Sequence, residues 1–432
     1  MDTSCRAIRC TALLCTGLLL GTAPARGQVF ADVVQTILAD HPRIQSAESV
    51  AEAGQSEVAA ARAARQPQLS LSTDAGWEEG GAGGRAGTYI LPEITASQLL
   101  FDGGRSAAEI RRSRLRAQAL RVQGARVADE LVAALAQAWG EWSRQCDLVE
   151  IAEAQVAALE QLHGLVSEIA SYDRGRGSDV VLVGSRLEQA RSALDARRIA
   201  REDARATIRE IASAPVEPAG RLPFLTPFLP DTLSDALALV DAAPVVQISK
   251  LQIGESDAAV SGAQSWWQPQ INLEVARTSE RTALGNTHLF NAFGVRLRAV
   301  SLPFGGGGRA RLNAARASAS AARFDAEQAR QSLTDRIERL WMLGNQRRDR
   351  LPRLAQVVVE ADEARDIVQE QFRIGRRSIL DLLSYETERF NARTGLANEQ
   401  HDLVALEYQL MGALGRIDFA IVPGAASKDR VQ

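Results

Sequence analysis

Between Gln68 and Trp77 the chain alternates: Leu69, Leu71, Thr73, Ala75 and Trp77 take turns with Gln68, Ser70, Ser72, Asp74 and Gly76. A period of two predicts a strand with one apolar and one polar face. A glycine cluster at 80–84 reads as a loop, and a second extended stretch follows at about 88–101. The pattern returns far downstream. Ile271, Leu273 and Val275 alternate with Gln270, Asn272 and Glu274, then Phe293, Val295, Leu297 and Ala299 with Gly294, Arg296 and Arg298. Arginine and asparagine on one strand face suit a wet interior rather than a dry core.

Between these strand pairs the period lengthens. Val127, Leu131, Leu135, Ala138 and Trp142, then Val156, Leu159, Val166 and Ile169, keep steps of three and four, and no proline occurs between Pro92 and Pro215. That predicts a helix over about 104–171, roughly 100 Å long at a rise of ~1.5 Å per residue. Asp173 to Gly177 turns the chain, and Ser178 or Asp179 is expected to cap a second helix over about 178–211. A helix of this length cannot sit inside one globular domain about 30 Å across, so it must lie against others in a coiled coil or helical cylinder.

The chain is written twice. Pro42-Arg43-Ile44-Gln45, with Pro67-Gln68-Leu69 25 residues after its proline, matches Pro244-Val245-Val246-Gln247 with Pro269-Gln270-Ile271, an offset of 202. Leu100-Phe101-Asp102-Gly103-Gly104-Arg105 matches Pro303-Phe304-Gly305 through Gly308-Arg309, and Tyr172-x-x-Gly175-x-x-Ser178 matches Phe372-x-x-Gly375-x-x-Ser378. Ordered matches at nearly constant offset mark a tandem duplication. The first repeat is expected at 26–213, with strands at about 68–78 and 88–101 and helices at about 43–65, 104–171 and 178–211. A proline-rich connector follows at 214–230. The second repeat is expected at 231–416, with strands at about 270–280 and 290–302 and helices at about 244–266, 309–373 and 378–414; Pro352 should bend the second of these. Residues 417–432 read as a tail, and Val29 to Ala39 as a short leading helix.

Composition then narrows the setting. Ala, Leu and Arg are abundant while aromatics make up only 5% of the 432 residues, which favours long helices. A net charge of −3 leaves no basic footprint, so no nucleic-acid partner is expected. Arg6 and Arg9 precede the apolar run Thr11–Gly21 and the small residues Ala23-Pro24-Ala25, which predicts a signal peptide over 1–25. Three of the four cysteines would leave with it, and Cys146 alone forms neither an internal disulfide nor a thiolate metal site. After that segment no apolar stretch of about 18 residues is expected to span a bilayer as a helix, so any spanning part must be a closed β-barrel. Four strands cannot close a barrel. Several chains must therefore share one.

The duplicated proline-led strand starts, the Phe-Asp/Gly-Gly-Gly-Arg strand exits and the Tyr/Phe-x-x-Gly-x-x-Ser turns resemble the TolC-type outer-membrane efflux family over residues 29–416. The resemblance implies a mainly α fold with membrane β: a duplicated repeat giving four strands to a trimeric transmembrane barrel and long helices to a periplasmic α-helical barrel. It implies a homotrimer in the outer membrane of a Gram-negative bacterium, in contact with outer-membrane lipid. Such a channel would act as a passive exit duct in type I secretion or small-molecule efflux. Its partners would be a periplasmic adaptor and an inner-membrane pump, either an ABC exporter or a proton-driven transporter. It implies no enzyme activity and no cofactor or metal.

Residue by residue, the resemblance places Phe372, Arg377 and Asp381 at the periplasmic gate. Ser384 replaces a second aspartate found in some members, and Asp179 stands two residues before Val181, which occupies the place of a linking aspartate. A ring of three Asp381 carboxylates would attract cations, whereas an ordinary Arg377–Asp381 surface pair would contribute only a few tenths of a kcal/mol. The turns, Asp173, Arg174 and Gly175 with Arg373, Ile374 and Gly375, are candidates for adaptor docking. Trp77, Tyr89, Phe101, Trp266, Trp267 and Phe304 flank the strands as membrane-interface aromatics do. The competing reading is a periplasmic coiled-coil adaptor or scaffold of an export complex. An adaptor would carry one helical hairpin between β-rich halves, and a scaffold would lack the period-two segments. No Gly-Lys-Ser/Thr, no nucleophile elbow and no His pair at ligand spacing gives catalysis an anchor.

Overall fold

The computed structural model describes residues 29–78, 87–282, 290–300 and 306–417. Within each repeat a helix leads into two strands, and these into a long helical hairpin. The first comprises α1 (Phe30–Asp40), α2 (Pro42–Ala63), β1 (Gln68–Glu78), β2 (Gly87–Phe101), α3 (Arg105–Tyr172) and α4 (Gly177–Ala212). The second comprises α5 (Leu233–Ala238), α6 (Pro244–Gln264), β3 (Gln270–Thr282), β4 (Phe290–Val300), α7 (Gly307–Arg373) and α8 (Ile379–Leu414).

The strands form one antiparallel sheet in chain order, β1-β2-β3-β4. Register puts Leu69 opposite Ala96, Leu71 opposite Ile94 and Leu273 opposite Leu297 on one face. On the other face Ser70 meets Thr95, Ser72 meets Glu93 and Asn272 meets Arg298. These registered pairs give the sheet one predominantly apolar and one predominantly polar face. Strands β1 and β4 are left as open edges.

Helix α3 is 68 residues long and α7 is 67, so each runs about 100 Å. Near the sheet α3 packs between α2 and α6, with α7 beyond α6; farther away it packs between α4 and α8, with α7 beyond α8. The short helices thus stack end to end, α2 on α4 and α6 on α8. At the first joint His41 Nδ1 accepts the Arg43 N–H at 3.1 Å, which caps α2, while Nε2 lies 3.0 Å from the Ile211 carbonyl at the end of α4. At the second joint α8 ends at Gly415, whose φ of 67° closes the helix against the Pro244 ring, where a Cβ has no room.

Three apolar clusters hold this layer. The middle belt joins Phe30, Trp139, Ile208, Leu225, Tyr408 and Ile417. Phe30 and Trp139 meet edge-on at 5.4 Å, and Trp139 Nε1 donates to the Gly220 carbonyl. Ile417 is fully buried, so the expected tail begins with a core residue: its side chain is held by long-range packing, which helical periodicity does not report. A second cluster lies under α5 and fills the gap between α7 and α8. The third is at the far tip.

One local expectation is corrected. Helix α4 starts at Gly177 after a 3-10 turn over Arg174–Arg176, and no side chain caps it, so neither Ser178 nor Asp179 is the cap. Helix α7 continues on both sides of Pro352 as one helix. One stretch, 233–267, is also long and apolar enough for a membrane span by composition. It is broken at Ala243, where ψ reaches 140° ahead of Pro244, and Val240, Ala243 and Val246 are buried against α7 and α8. Its buried residues belong to the core between α5, α6, α7 and α8.

Candidate functional site at the helical tip

The far end of the layer is built from the two interhelical turns. In the first, the Asp173 N–H closes α3 on the Ile169 carbonyl while its Oδ1 accepts the Gly175 N–H at 3.0 Å. Arg176 lies 3.9 Å from the Asp173 carboxylate, and its guanidinium is 6.0 Å from the Phe372 ring centre. Arg174 opens the 3-10 turn, and its side chain is outside the described set.

The second turn is tighter. Gly375, with φ 73°, lets its own N–H reach the Phe372 carbonyl at 2.9 Å and the Arg376 N–H reach the Gln371 carbonyl at 2.8 Å. This pair of bonds is the Schellman closure of α7. Three residues on, Ser378 and Asp381 cap α8 reciprocally. Ser378 Oγ accepts the Asp381 N–H and an Asp381 carboxylate oxygen accepts the Ser378 N–H, both at 3.2 Å. Those bonds to Ser378 hold the Asp381 carboxyl below the usual carboxylate range, with the charge of Arg377 adding to them. Arg377 donates to Gln371 at 3.1 Å and makes no ion pair with Asp381.

The structure thus brings the second-repeat gate candidates together around one turn but gives them separate duties. Phe372 is 3% exposed, inside the tip cluster with Val166, Val183, Ile379 and Leu383. Arg377 braces the end of α7, and Asp381 caps α8. Asp179 is half-exposed in the first turn of α4. Arg373 pairs with Glu370 at 2.9 Å, and Ile374 and Tyr172 project into solvent.

Sequence reasoning missed the ionic seam above this tip. Between α7 and α8, Asp362 accepts from Arg389 at 2.7 Å and from Arg393 at 2.9 Å, while Glu386 pairs with Arg365 and Arg389. Burial alone would raise the Asp362 pKa, but the hydrogen bonds from Arg393 and Arg389 outweigh it and hold the carboxyl low. Higher up, Arg347 bridges Glu399 and Asp402, and Asp402 also accepts from Arg144 of α3. Charged residues three and four apart on both helices were the available signal.

At the opposite end, Trp77 and Phe101 are exposed on the sheet and Trp267 is exposed just below it. Trp266 is half-buried and packs over Gly308, where a Cβ would collide with the indole. The backbone of Tyr89 lies in β2 opposite Gly76, its side chain outside the described set, and Phe304 lies outside the described residues.

A sheet with one lipid-compatible and one wet face, carried on helical rods 100 Å long, defines a channel-tunnel of the outer membrane. The chain belongs to the outer membrane efflux protein family, whose model matches residues 33–214 and 238–416, one segment per repeat. It is 21% identical over 427 residues to the outer membrane efflux protein BepC of Brucella suis biovar 1 (strain 1330), covering 96% of this chain and 91% of that protein. Among solved structures it is similar to the outer membrane protein VceC of Vibrio cholerae, with TM-score 0.79 at 17% identity over 89% of this chain and 96% of that one. It is also similar to the open state of the MtrE outer membrane channel of Neisseria gonorrhoeae, with TM-score 0.75 at 18% identity over 90% and 89% of the two chains. The protein is an outer-membrane efflux channel with a periplasmic helical tunnel, and the adaptor or scaffold reading is set aside.

Proposed function

We propose that three copies assemble into the conducting unit, with β4 of each pairing with β1 of the next to close one twelve-stranded barrel. The observation that carries this is the open edge at both ends of a four-stranded sheet with a lipid-compatible face. Unpaired backbone in lipid costs several kcal/mol per group, so the edges must be satisfied. Exposed Ile199 on α4 and Phe324 on α7 support the same assembly, since a neighbouring copy would cover them. In this arrangement Asp179, Phe372, Arg377 and Asp381 frame the periplasmic entrance. The turns at Asp173, Arg174, Gly175, Arg373, Ile374 and Gly375 meet a periplasmic adaptor that links the channel to an ABC exporter or a proton-driven pump. The mature chain, purified in detergent and reconstituted in planar bilayers, should form a trimer with a discrete conductance. Recovery as a soluble monomer without conductance refutes the assembly. Asp381→Ala should weaken block by multivalent cations, and unchanged block removes Asp381 from the entrance.

A further inference from the structure

The sheet contains a template for the contact between copies. Because the chain is a tandem duplication, the internal seam between β2 and β3 is the counterpart of the seam at which β4 would meet β1 of the next copy. Hairpin register fixes the correspondence. Leu69 pairs with Ala96 and Ile271 with Ala299, so Ala299 holds the place of Ala96 and Arg298 that of Thr95. By the same superposition of Leu69 on Ile271, Asp74 holds the place of Ala276. Across the internal seam Thr95 faces Ala276. Carried to the outer seam, that register sets Arg298 against Asp74 of the next copy. Strand alternation puts Asp74 on the polar face with Ser70 and Ser72, and Arg298, opposite Asn272, on the same face. The Asp74 side chain is exposed, and its carboxylate has no hydrogen bond or ion pair among the described residues. Arg298 lies 3.7 Å from Glu274 of its own chain with its side chain 62% exposed, so its five-donor guanidinium has room for a second carboxylate.

We propose that Arg298 pairs with Asp74 of the next copy, so that Glu274, Arg298 and Asp74 bridge the seam on the lumen face and lock its register. This rests on the barrel reading above. Residues opposite each other on antiparallel strands lie about 4.5–5.5 Å apart, within reach of a charge-assisted hydrogen bond. A slip of one residue would oppose Arg298 to Thr73 or Ala75 and turn the apolar face of β1 into the lumen, so alternation excludes it. A slip of two keeps the faces. In one direction it sets Arg298 against Gly76, without a charge to meet, and in the other it gives Asp74 to Arg296 and leaves Arg298 against Ser72. The internal seam decides between these registers. It also sets Leu297 against Ala75, so the apolar face runs on across the seam. The two seams have diverged at this level for a physical reason: the covalent chain holds the inner one, where Thr95 and Ala276 suffice, and only side chains can specify the outer one.

The test uses the full mature chain carrying Cys146→Ser, so that its own thiol does not compete, purified in detergent. Asp74→Cys combined with Arg298→Cys places two thiols opposite each other between copies, within the Cα span of a disulfide. Mild oxidation should link these chains into a covalent trimer about ten-fold faster than Asp74→Cys with Arg296→Cys, or Gly76→Cys with Arg298→Cys, the pairs that the two slipped registers would favour. Faster linkage of either slipped pair overturns the register. The charges are read separately. Asp74→Arg or Arg298→Asp alone should speed dissociation of the trimer about five-fold, and the two together should restore the lifetime. A double variant no longer-lived than the singles overturns the ion pair. A conducting trimer in which none of the three cysteine pairs links overturns the register while leaving the barrel intact. A monomer without conductance in the Cys146→Ser chain refutes the barrel itself, which separates the two failures.

Discussion

Gly375 offers a clean test of how the tip is held. Its φ of 73° belongs to the left-handed region, and nothing lies within 4 Å of where a Cβ would stand, so substitution strains the backbone without any clash. An L-residue in that conformation costs about 1–2 kcal/mol. The cost falls on the two bonds that close α7, above all the Arg376 N–H to the Gln371 carbonyl at 2.8 Å. Gly375→Ala should therefore lower hydrogen-exchange protection of the Arg376 amide by about 5- to 30-fold, the ratio that 1–2 kcal/mol of local stability represents. Gly375→Asn should fall between Ala and wild type, because asparagine tolerates this region. Gly175, the matching position of the first turn, has no positive φ and only the Asp173 carboxylate near its notional Cβ, so Gly175→Ala should change exchange little. Unchanged protection in Gly375→Ala, or equal loosening by Gly175→Ala, would refute the reasoning. On the proposed docking role, Gly375→Val should uncouple export while trimers persist, and normal export would remove this turn from the adaptor interface.

Other consequences can be checked more briefly. Glu407, 2% exposed, accepts the Leu225 N–H at 2.8 Å and the Thr226 hydroxyl at 2.7 Å, so it pins the proline-rich connector to α8. Glu407→Ala leaves that N–H buried and unpaired at a cost of about 1–3 kcal/mol, and limited proteolysis should nick 214–230 faster than in wild type. Trp139→Ala should cost about 3–5 kcal/mol in the middle belt, read as a lower melting temperature, while Trp267→Ala, on the surface, should not. The Asp362 carboxyl titrates below its unfolded value, so its contribution is present above the ordinary carboxylate range and disappears as pH falls through the lower, folded value. Exchange along the α7–α8 seam should accordingly rise only in acid, and Asp362→Asn should flatten that dependence.

Much of the plan was written into the sequence because two periods coexist in it. Alternation across Gln68–Trp77 and Gln270–Val275 locates β1 and β3 and their two faces, and the three-four spacing from Val127 to Ile169 reveals a helix too long for a globule. What the sequence withheld depends on long-range contact. The capping difference, by contrast, is local: Ser378 has Asp381 three residues on to complete a reciprocal cap, whereas Ser178 has Val181 there and follows a 3-10 turn. Part of the apolar stretch across 233–267, from Ala236 to Val246, is buried against α7 and α8, a fact that composition cannot separate from membrane affinity. The placement of Phe372 inside the tip cluster, with Arg176 above its ring, also follows from how the two hairpins meet.

Duplication supplied two hairpins with one topology, and their seams have since diverged in chemistry. Toward the tip α3 and α4 meet through Val149, Val156, Leu159, Val183 and Leu187, with their ion pairs Arg191–Glu160 and Arg198–Glu153 left half in water. Helices α7 and α8 instead meet through Asp362, Arg365, Glu386 and Arg389, each with a side chain less than a third exposed. An apolar seam is indifferent to pH and tolerates small slips, because dispersion contacts re-form at neighbouring registers. A partly buried ionic seam is registered by its partners, costs several kcal/mol when one charge loses its mate, and responds to acid. The packing of the α7–α8 hairpin should therefore respond to acid more than that of the α3–α4 hairpin, a difference that hydrogen exchange along the two seams would read.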